Sequence, residues 1–248
     1  MGEHFEPPLA SLSLTHVYYN PDDRVSLICA WLALVPQALV VSYATLSIAQ
    51  REVEVLLMFS GQLACEAVNW VLKRCFKQQR PKQMYGKGYG MPSSHAQFVA
   101  FFAVYFSLWV YLRARHLPTY ERVLISVTSV IASVVVSMSR IYLSYHTRLQ
   151  VACGYSVGVV FALAWFGFTT WLRVTTLGQT GSGWGLEALT GGRKLWDWLL
   201  WVTQIIYVKD LLADVDLVRW EWEVWNKARG GIVLEEGVRL LNEEKKRR

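Results

Sequence analysis

The sequence predicts an all-α membrane protein: a polytopic transmembrane helix bundle of about five spans, with Trp-rich amphipathic interfacial helices at the C-terminus. Of its 248 residues 53% are hydrophobic and 14% aromatic, which is more apolar than an ordinary soluble domain. The uncharged runs 25–48 and 95–112 approach or exceed the ~20 residues that a helix needs to cross a bilayer. Both runs therefore predict spanning helices.

Residues 1–24 form a polar N-terminal segment that contains Pro7, Pro8 and Pro21. The segment lacks the apolar core of a cleavable signal peptide. Membrane entry is therefore expected to use the internal spans.

A transmembrane domain is predicted over residues 25–172. Its spans, each rich in Leu, Val, Ala, Phe and Trp, are 25–48, 53–74, 95–115, 122–143 and 149–172. The second span contains Glu66 and Asn69, and ionisable groups at membrane depth tend to face a bundle interior or a cavity. Two interpretations of Glu66 stay open, a functional role and structural packing.

Beyond the last span, residues 173–194 are a Gly-rich connector, and residues 195–248 are predicted to be an amphipathic region that lies at the membrane surface. Its tryptophans suit the water–lipid interface better than the bilayer centre. The basic ending 245–248 is interpreted either as a solvated tail or as a dilysine-like retrieval signal for the endoplasmic reticulum.

The net charge of +6 does not indicate nucleic-acid binding, because many basic residues lie at the ends of apolar runs rather than on one polar face. An anionic, membrane-bound partner is expected instead. Cys29, Cys65 and Cys153 fall inside apolar runs, and neither a disulfide framework nor a CxxC metal site is visible.

Two polar connections, 77–90 and 145–148, are predicted to emerge on one side of the membrane, since two crossings separate them. Three clusters of candidate site residues lie on that side. The first is Lys73-x6-Arg80-Pro81, which starts at the end of the second span and runs into the connection 77–90. If the helix persisted, these two cations would project from one face about 10 Å apart along the axis, and Pro81 would then end or redirect the helix.

The second cluster runs from Gly90 to His95 and includes Ser93 and Ser94. Backbone N–H groups at a helix start, with hydroxyls beside them, form a site for an anion, and a histidine there can protonate a leaving oxygen. The alternative is a simple N-cap, in which one serine satisfies the first helical turn.

The third cluster is Ser139-Arg140-x5-His146-x3-Gln150. His146 and Gln150 are four residues apart, so the amide oxygen can hold an imidazole N–H. Ser139 and Arg140 add a hydroxyl and a fork-shaped cation suited to phosphate oxygens.

Together the clusters predict phosphoryl transfer in which one histidine attacks and the other protonates. The cationic side chains would stabilise the transferred group electrostatically. No acidic or histidine cluster with the spacing of a magnesium or zinc site lies nearby, so neither a metal nor another cofactor is expected.

The three clusters, in this order and over about residues 50–172, resemble the signature of the type 2 phosphatidic acid phosphatase (PAP2) superfamily. The resemblance implies that His146 is a nucleophile that forms a phosphohistidine and that His95 is the acid for the leaving group. The phosphate ligands that it implies are Lys73, Arg80, Ser93, Ser94 and Arg140.

Two positions depart from the general pattern of the superfamily. Ser94 replaces a glycine, and Gln150 replaces the aspartate that orients the nucleophilic histidine. Gln150 can orient His146 only through a neutral hydrogen bond, without stabilising its cationic form.

With this glutamine, the stretches 89–98 and 139–147 are similar to the dolichyl diphosphate phosphatases. That similarity implies a polyisoprenoid diphosphate lipid as substrate, a multi-pass protein of the endoplasmic reticulum membrane with a lumenal active site, and recycling of the lipid carrier for protein N-glycosylation. Two alternatives are a phosphatase for phosphatidate or a sphingoid phosphate, and an inactive relative that only binds lipid phosphate.

Overall fold

The computed structural model describes residues 10–12, 17–81, 88–114, 116–177, 198, 201–202, 205, 207–208 and 219–230. It is a helical bundle in which five helical segments are long and apolar enough to cross a membrane. The predicted all-α, multi-span fold is confirmed, and each span lies within a few residues of its predicted position. The helices are α1 Arg24–Leu32, α2 Val35–Ala49, α3 Val53–Phe76, α4 Ser94–Leu112, α5 Thr119–Tyr142 and α6 Arg148–Leu177.

The first span is interrupted between α1 and α2, which sequence reasoning did not predict. Pro36 stands at the start of α2, where its missing N–H is tolerated. The interruption leaves the backbone around Ala33 available to the rest of the bundle.

Helix α4 lies at the centre of the bundle. Half of its most apolar window is buried, against 28% for each of the other four spans, so the other spans present most of their apolar surface outward, as helices in lipid do. Phe101 and Tyr105 of α4 are fully buried and stack on each other with ring centroids 5.7 Å apart. Packing against α5 and α6 thus fixes the position of α4 and of the cluster at its N-terminus.

A buried polar cluster joins three helices at the opposite end of the bundle. Arg113, just after α4, forms a 2.7 Å salt bridge with Glu54 at the start of α3. It also donates to the hydroxyls of Thr169 and Thr170 on α6, at 2.9 and 2.7 Å. Each charged group of this cluster has partners, so the cluster holds the three helices together at that end of the bundle without an uncompensated buried charge.

Within the segment predicted as polar, the chain forms a short antiparallel hairpin. Strand β1 is Ala10–Leu12 and strand β2 is Val17–Tyr19. Val17 is buried against α1 and against the turn that follows α5, where Leu143 and Tyr145 lie. The hairpin therefore covers the side of the bundle where the predicted site residues meet.

Helix α6 continues to Leu177 and so includes the first residues of the predicted connector 173–194. The rest of that connector, 178–194, and most of the predicted amphipathic region lie outside the described residues. The described part contains a helix over 219–230 whose tryptophans are exposed, with the rings of Trp222 and Trp225 5.1 Å apart. Its placement at a membrane surface and the predicted domain limits stay predictions.

Candidate active site

The two polar connections meet, as parity predicts. The imidazole Nδ1 of His146, in the turn between α5 and α6, lies 2.9 Å from the carbonyl oxygen of Gly90, just before α4. Because a carbonyl only accepts, Nδ1 carries the proton and Nε2 keeps its lone pair. His146 is thus held in the tautomer that a nucleophilic Nε2 requires.

His146 is 4% exposed. Burial lowers its pKa from 6.5 to about 3, and the positive charges of Arg140 and Arg80 act in the same direction. A lowered pKa means a neutral ring at physiological pH. The lone pair on Nε2 is therefore available without a base to remove a proton.

Gln150 lies beside His146, as predicted, but its amide has other partners. Its Oε1 accepts from the backbone N–H of Thr147 at 3.1 Å, and its Nε2 donates to the carbonyl of Gln79 at 2.9 Å. The side chain adds a smaller interaction with His146. The principal acceptor for His146 is the Gly90 carbonyl, which sequence reasoning missed, and Gln150 fixes the loop that leads to Arg80.

His95, in the first turn of α4, is anchored by the interruption of the first span. Its Nε2 lies 3.1 Å from the carbonyl oxygen of Ala33 and donates to it. The other ring nitrogen, Nδ1, is left to exchange a proton with a ligand. His95 is within electrostatic range of Arg140, His146 and Lys73, so the structure brings both histidines into one site.

Arg140, in the last turn of α5, is 3% exposed. Its guanidinium carbon lies 4.3 Å from the ring centroid of Tyr145, while its Nε and Nη1 atoms have no hydrogen-bond partner in the part of the chain that the structure describes. A buried guanidinium with open donors is costly unless an anion binds it. These atoms indicate a phosphate position.

Lys73 and Arg80 do not lie on one continuous helix, so the condition for their projecting from one helical face is not met. Helix α3 ends at Phe76, and Lys77 adopts a left-handed conformation with φ 47° that terminates it. Arg80 therefore lies on the following loop, where its side chain packs beside Gly90. Lys73 and Arg80 still interact electrostatically, so both cations belong to the site.

The two serines of the second cluster behave differently. Ser93 occupies the N-cap position, but its side chain makes no capping hydrogen bond. Its buried Oγ has no partner among the described residues, which favours a ligand over the simple cap. Ser94 lies with His95 on the wall of a largely apolar cavity of about 460 Å³ between α2, α3 and α4, where Glu66 also lies.

Ser139 is buried beside Arg140, and its hydroxyl is engaged within helix α5. Its Oγ donates to the carbonyl of Val136, one turn earlier in α5, at 2.7 Å. The structure therefore gives Ser139 a bond within its own helix, and its predicted contact with phosphate stays a prediction.

Glycine on α6 sets the position of the second cluster. A Cβ atom at Gly154 would lie 2.5 Å from the carbonyl oxygen of Ser93. The Ser93 N–H donates to the carbonyl of Gln150, also on α6, at 3.1 Å. Helix α6 thus carries Gln150 of the third cluster and positions the start of α4.

The described residues hold no group of three or more histidine, cysteine, aspartate or glutamate side chains that would bind a metal ion. The site instead contains three cationic side chains, Lys73, Arg80 and Arg140. Positive charge of this kind can neutralise a phosphate group.

Comparison with known proteins agrees with this geometry. The model of the PAP2 superfamily matches residues 54–173, which contain all three clusters. A crystal structure of a transmembrane PAP2 type phosphatidylglycerolphosphate phosphatase from Bacillus subtilis shares the fold, with a TM-score of 0.50 and 21% identity over 58% of this chain and 75% of that one.

Curated relatives are more similar in sequence. A putative dolichyldiphosphatase of Neurospora crassa is 40% identical over 90% of this chain and 93% of its own length. Dolichyldiphosphatase 1 of Homo sapiens is 39% identical over 64% of this chain and 71% of its own length. These relatives are named as dolichyldiphosphatases. The chain therefore belongs to the PAP2 superfamily of membrane phosphatases.

Proposed function

We propose that this chain hydrolyses dolichyl diphosphate to dolichyl phosphate and inorganic phosphate through a phosphohistidine on His146. The single observation that carries the chemistry is the bond from His146 Nδ1 to Gly90, which leaves Nε2 as nucleophile beside the open donors of Arg140. The names of the relatives support the substrate.

In the first step, Nε2 of His146 attacks the terminal phosphorus. A nitrogen–phosphorus bond forms, and the bond from that phosphorus to the bridging oxygen breaks. The bridging oxygen leaves with the electron pair as dolichyl phosphate and takes a proton from Nδ1 of His95. His95 acts in its doubly protonated form, with Nε2–H bonded to the Ala33 carbonyl, a form that the negative charge of the bound diphosphate favours. Arg140, Arg80 and Lys73 stabilise the charge on the transferred group.

In the second step, water attacks the phosphorus of the phosphohistidine. His95 Nδ1, now without its proton, takes one from the water, and the nitrogen–phosphorus bond breaks. Inorganic phosphate leaves and His146 regains its neutral form. The same histidine thus serves as acid and then as base.

We also propose a place in the endoplasmic reticulum membrane, where the product would re-enter the lipid carrier cycle of protein N-glycosylation, as the resemblance of stretches 89–98 and 139–147 implies. We place the active site on the lumenal face. Five spans would then put the N-terminal segment in the lumen and the basic C-terminal tail in the cytosol. Accessibility of single introduced cysteines to a membrane-impermeant reagent tests this orientation.

Phosphate release by the purified protein in detergent tests the reaction itself. We expect release from dolichyl diphosphate to exceed release from dolichyl phosphate and phosphatidate, and to persist with a chelator present. His146→Ala should reduce release to the background rate. Equal release from all three lipids would refute the substrate assignment, and near-normal activity of His146→Ala would refute the nucleophile.

A further inference from the structure

Tyr145, which precedes the nucleophile in sequence, connects three parts of the molecule. Its ring lies 4.3 Å from the guanidinium carbon of Arg140. Its hydroxyl accepts a 2.8 Å hydrogen bond from the backbone N–H of Tyr18 in strand β2. Its own backbone N–H donates to the carbonyl of Arg140 at 3.1 Å. The side chain is only 5% exposed.

We propose that Tyr145 is a positioning residue for Arg140, and that the N-terminal hairpin holds Tyr145 in place through Tyr18. The proposal rests on the proposed role of Arg140 as a phosphate ligand. It does not depend on which lipid carries the phosphate.

The open donors of Arg140 are the reason that its orientation needs support. Most buried arginines are fixed by carboxylates, but Nε and Nη1 here have no partner among the described residues. The face of an aromatic ring attracts a guanidinium without occupying its N–H groups. Tyr145 can therefore orient Arg140 while its donors stay directed at a ligand.

The hairpin is the reason that Tyr145 itself is fixed. The residues that pack around Tyr145 come from β2, α1 and the turn after α5, and include Val17 and Leu143. Strand β2 lies outside residues 54–173, the part shared across the superfamily. Strand β2, outside the matched domain, thus contacts Tyr145, and Tyr145 contacts Arg140 at the proposed phosphate site.

Tyr142 provides a matched control. It lies three residues earlier, is 54% exposed, and its hydroxyl also bonds to the N-terminal part of the chain, at Asp23 Oδ2 with a distance of 2.7 Å. It forms no ring contact with Arg140. Tyr142→Phe and Tyr142→Leu should therefore leave turnover unchanged.

The test compares Tyr145→Phe and Tyr145→Leu with these controls, using the lipid phosphate that the parent protein hydrolyses fastest and orthovanadate as a phosphate mimic. Tyr145→Leu should lower kcat/KM and weaken vanadate inhibition by about 10- to 30-fold, the range for a desolvated cation–π contact. Tyr145→Phe keeps the ring and should stay within about threefold of the parent. Should Tyr145→Leu not fold, Tyr145→Met serves as the second non-aromatic variant.

A double-mutant cycle distinguishes positioning from a general packing defect. If Tyr145 acts through Arg140, Tyr145→Leu should cause no further loss in an Arg140→Gln background. An equal loss in both backgrounds would overturn the proposal, as would parent-like vanadate inhibition in Tyr145→Leu.

Hydrogen exchange tests the hairpin arm. Tyr145→Phe removes the acceptor of the Tyr18 amide, so exchange over residues 17–20 should accelerate, whereas Tyr142→Phe should leave the Tyr18 amide unchanged. Unchanged exchange in Tyr145→Phe would remove the hairpin from the proposal. If the parent releases no phosphate from dolichyl diphosphate, the proposed substrate fails, but vanadate inhibition with another lipid phosphate still decides the role of Tyr145.

Discussion

Gly154→Ala is expected to impair catalysis far more than it impairs folding. The added methyl group would lie 2.5 Å from the Ser93 carbonyl oxygen, and an ordinary contact begins at 3.4 Å. Helix α6 and the start of α4 must therefore separate by about 0.9 Å. Both are backbone, so no flexible side chain can absorb the shift.

That displacement acts on the site directly, because Ser93 precedes His95 by two residues and α6 begins just after His146. A misplacement of about 1 Å between reacting groups costs on the order of 100-fold in rate. Overpacking a core contact costs about 1–3 kcal/mol of stability, partly offset by the better helix propensity of alanine. We expect a roughly 100-fold lower kcat with a folded protein.

Gly167→Ala is the matched control, since it is the same substitution on the same helix with nothing within 4 Å of the added atom. Phosphate release gives kcat, and thermal unfolding in detergent, followed by tryptophan fluorescence, gives stability. Gly167→Ala should match the parent in kcat and be at least as stable, since alanine favours the helix by about 0.5–1 kcal/mol. If Gly154→Ala retained parental kcat, the close approach of α6 to Ser93 would not position the site, and the reasoning would be wrong.

Three further predictions follow from the surroundings of His146. The neutral ring of His146 is the reactive form, so the contribution of His146 to kcat/KM is present above the pKa of the ring and is lost as the pH falls through that pKa. The pKa is about 3 rather than 6.5. Titration of His146 should therefore not limit activity between pH 7 and pH 5. Arg80→Gln removes one of the charges that lower this pKa, so the pH–rate profile should show the acid limb moving upward, and an unmoved limb would contradict the assignment. Gln150→Glu replaces the donor to the Gln79 carbonyl by a carboxylate, and should lower kcat/KM about 10- to 100-fold, as expected for about 1–3 kcal/mol lost when a buried hydrogen bond is broken. Parental kcat/KM in Gln150→Glu would show that this bond does not hold the loop.

The sequence predicted the spans and the meeting of the two loops, because hydropathy and parity depend only on side-chain type and order. It could not identify the acceptors that orient the histidines, since these are the backbone carbonyls of Gly90 and Ala33 and a carbonyl has no side-chain signature. The sequence did contain one signal for the Ala33 carbonyl. Pro36 lies within an apolar run, and a proline in such a run predicts the start of a new helix close to Ala33. The alternation from Ser11 to Leu14 likewise is a weak signal for a strand.

The helix that carries Lys73 does not persist to Arg80, for a local reason. Seven residues are two turns only if the helix continues, and the left-handed conformation of Lys77 ends it three residues before Arg80. Lysine is not a residue that predicts this conformation, since glycine and asparagine are the usual ones. The hydrogen bond from Gln150 to Gln79 then holds the loop from α6. This hydrogen bond joins two residues that are 71 positions apart in sequence. At that separation, the spacing of residues does not predict which side chains meet.

The replacement of aspartate by Gln150 fits an anhydride substrate better than a monoester. In a monoester the leaving group is an alkoxide, a strong base, so the nucleophile must be well activated and the leaving oxygen fully protonated. In a diphosphate the leaving group is a phosphate, with a second pKa of about 6, and departs readily. A carboxylate that stabilises a cationic His146 is therefore needed less, and a neutral carbonyl at 2.9 Å is sufficient to orient the ring. A neutral amide at position 150 also avoids placing a carboxylate beside His146, where it would repel a substrate that carries two phosphates. It follows that an aspartate at position 150 should favour monoesters relative to diphosphates. The ratio of the two kcat/KM values in Gln150→Asp measures that preference, and a ratio equal to the parent's would show that the orienting group does not set the choice of leaving group.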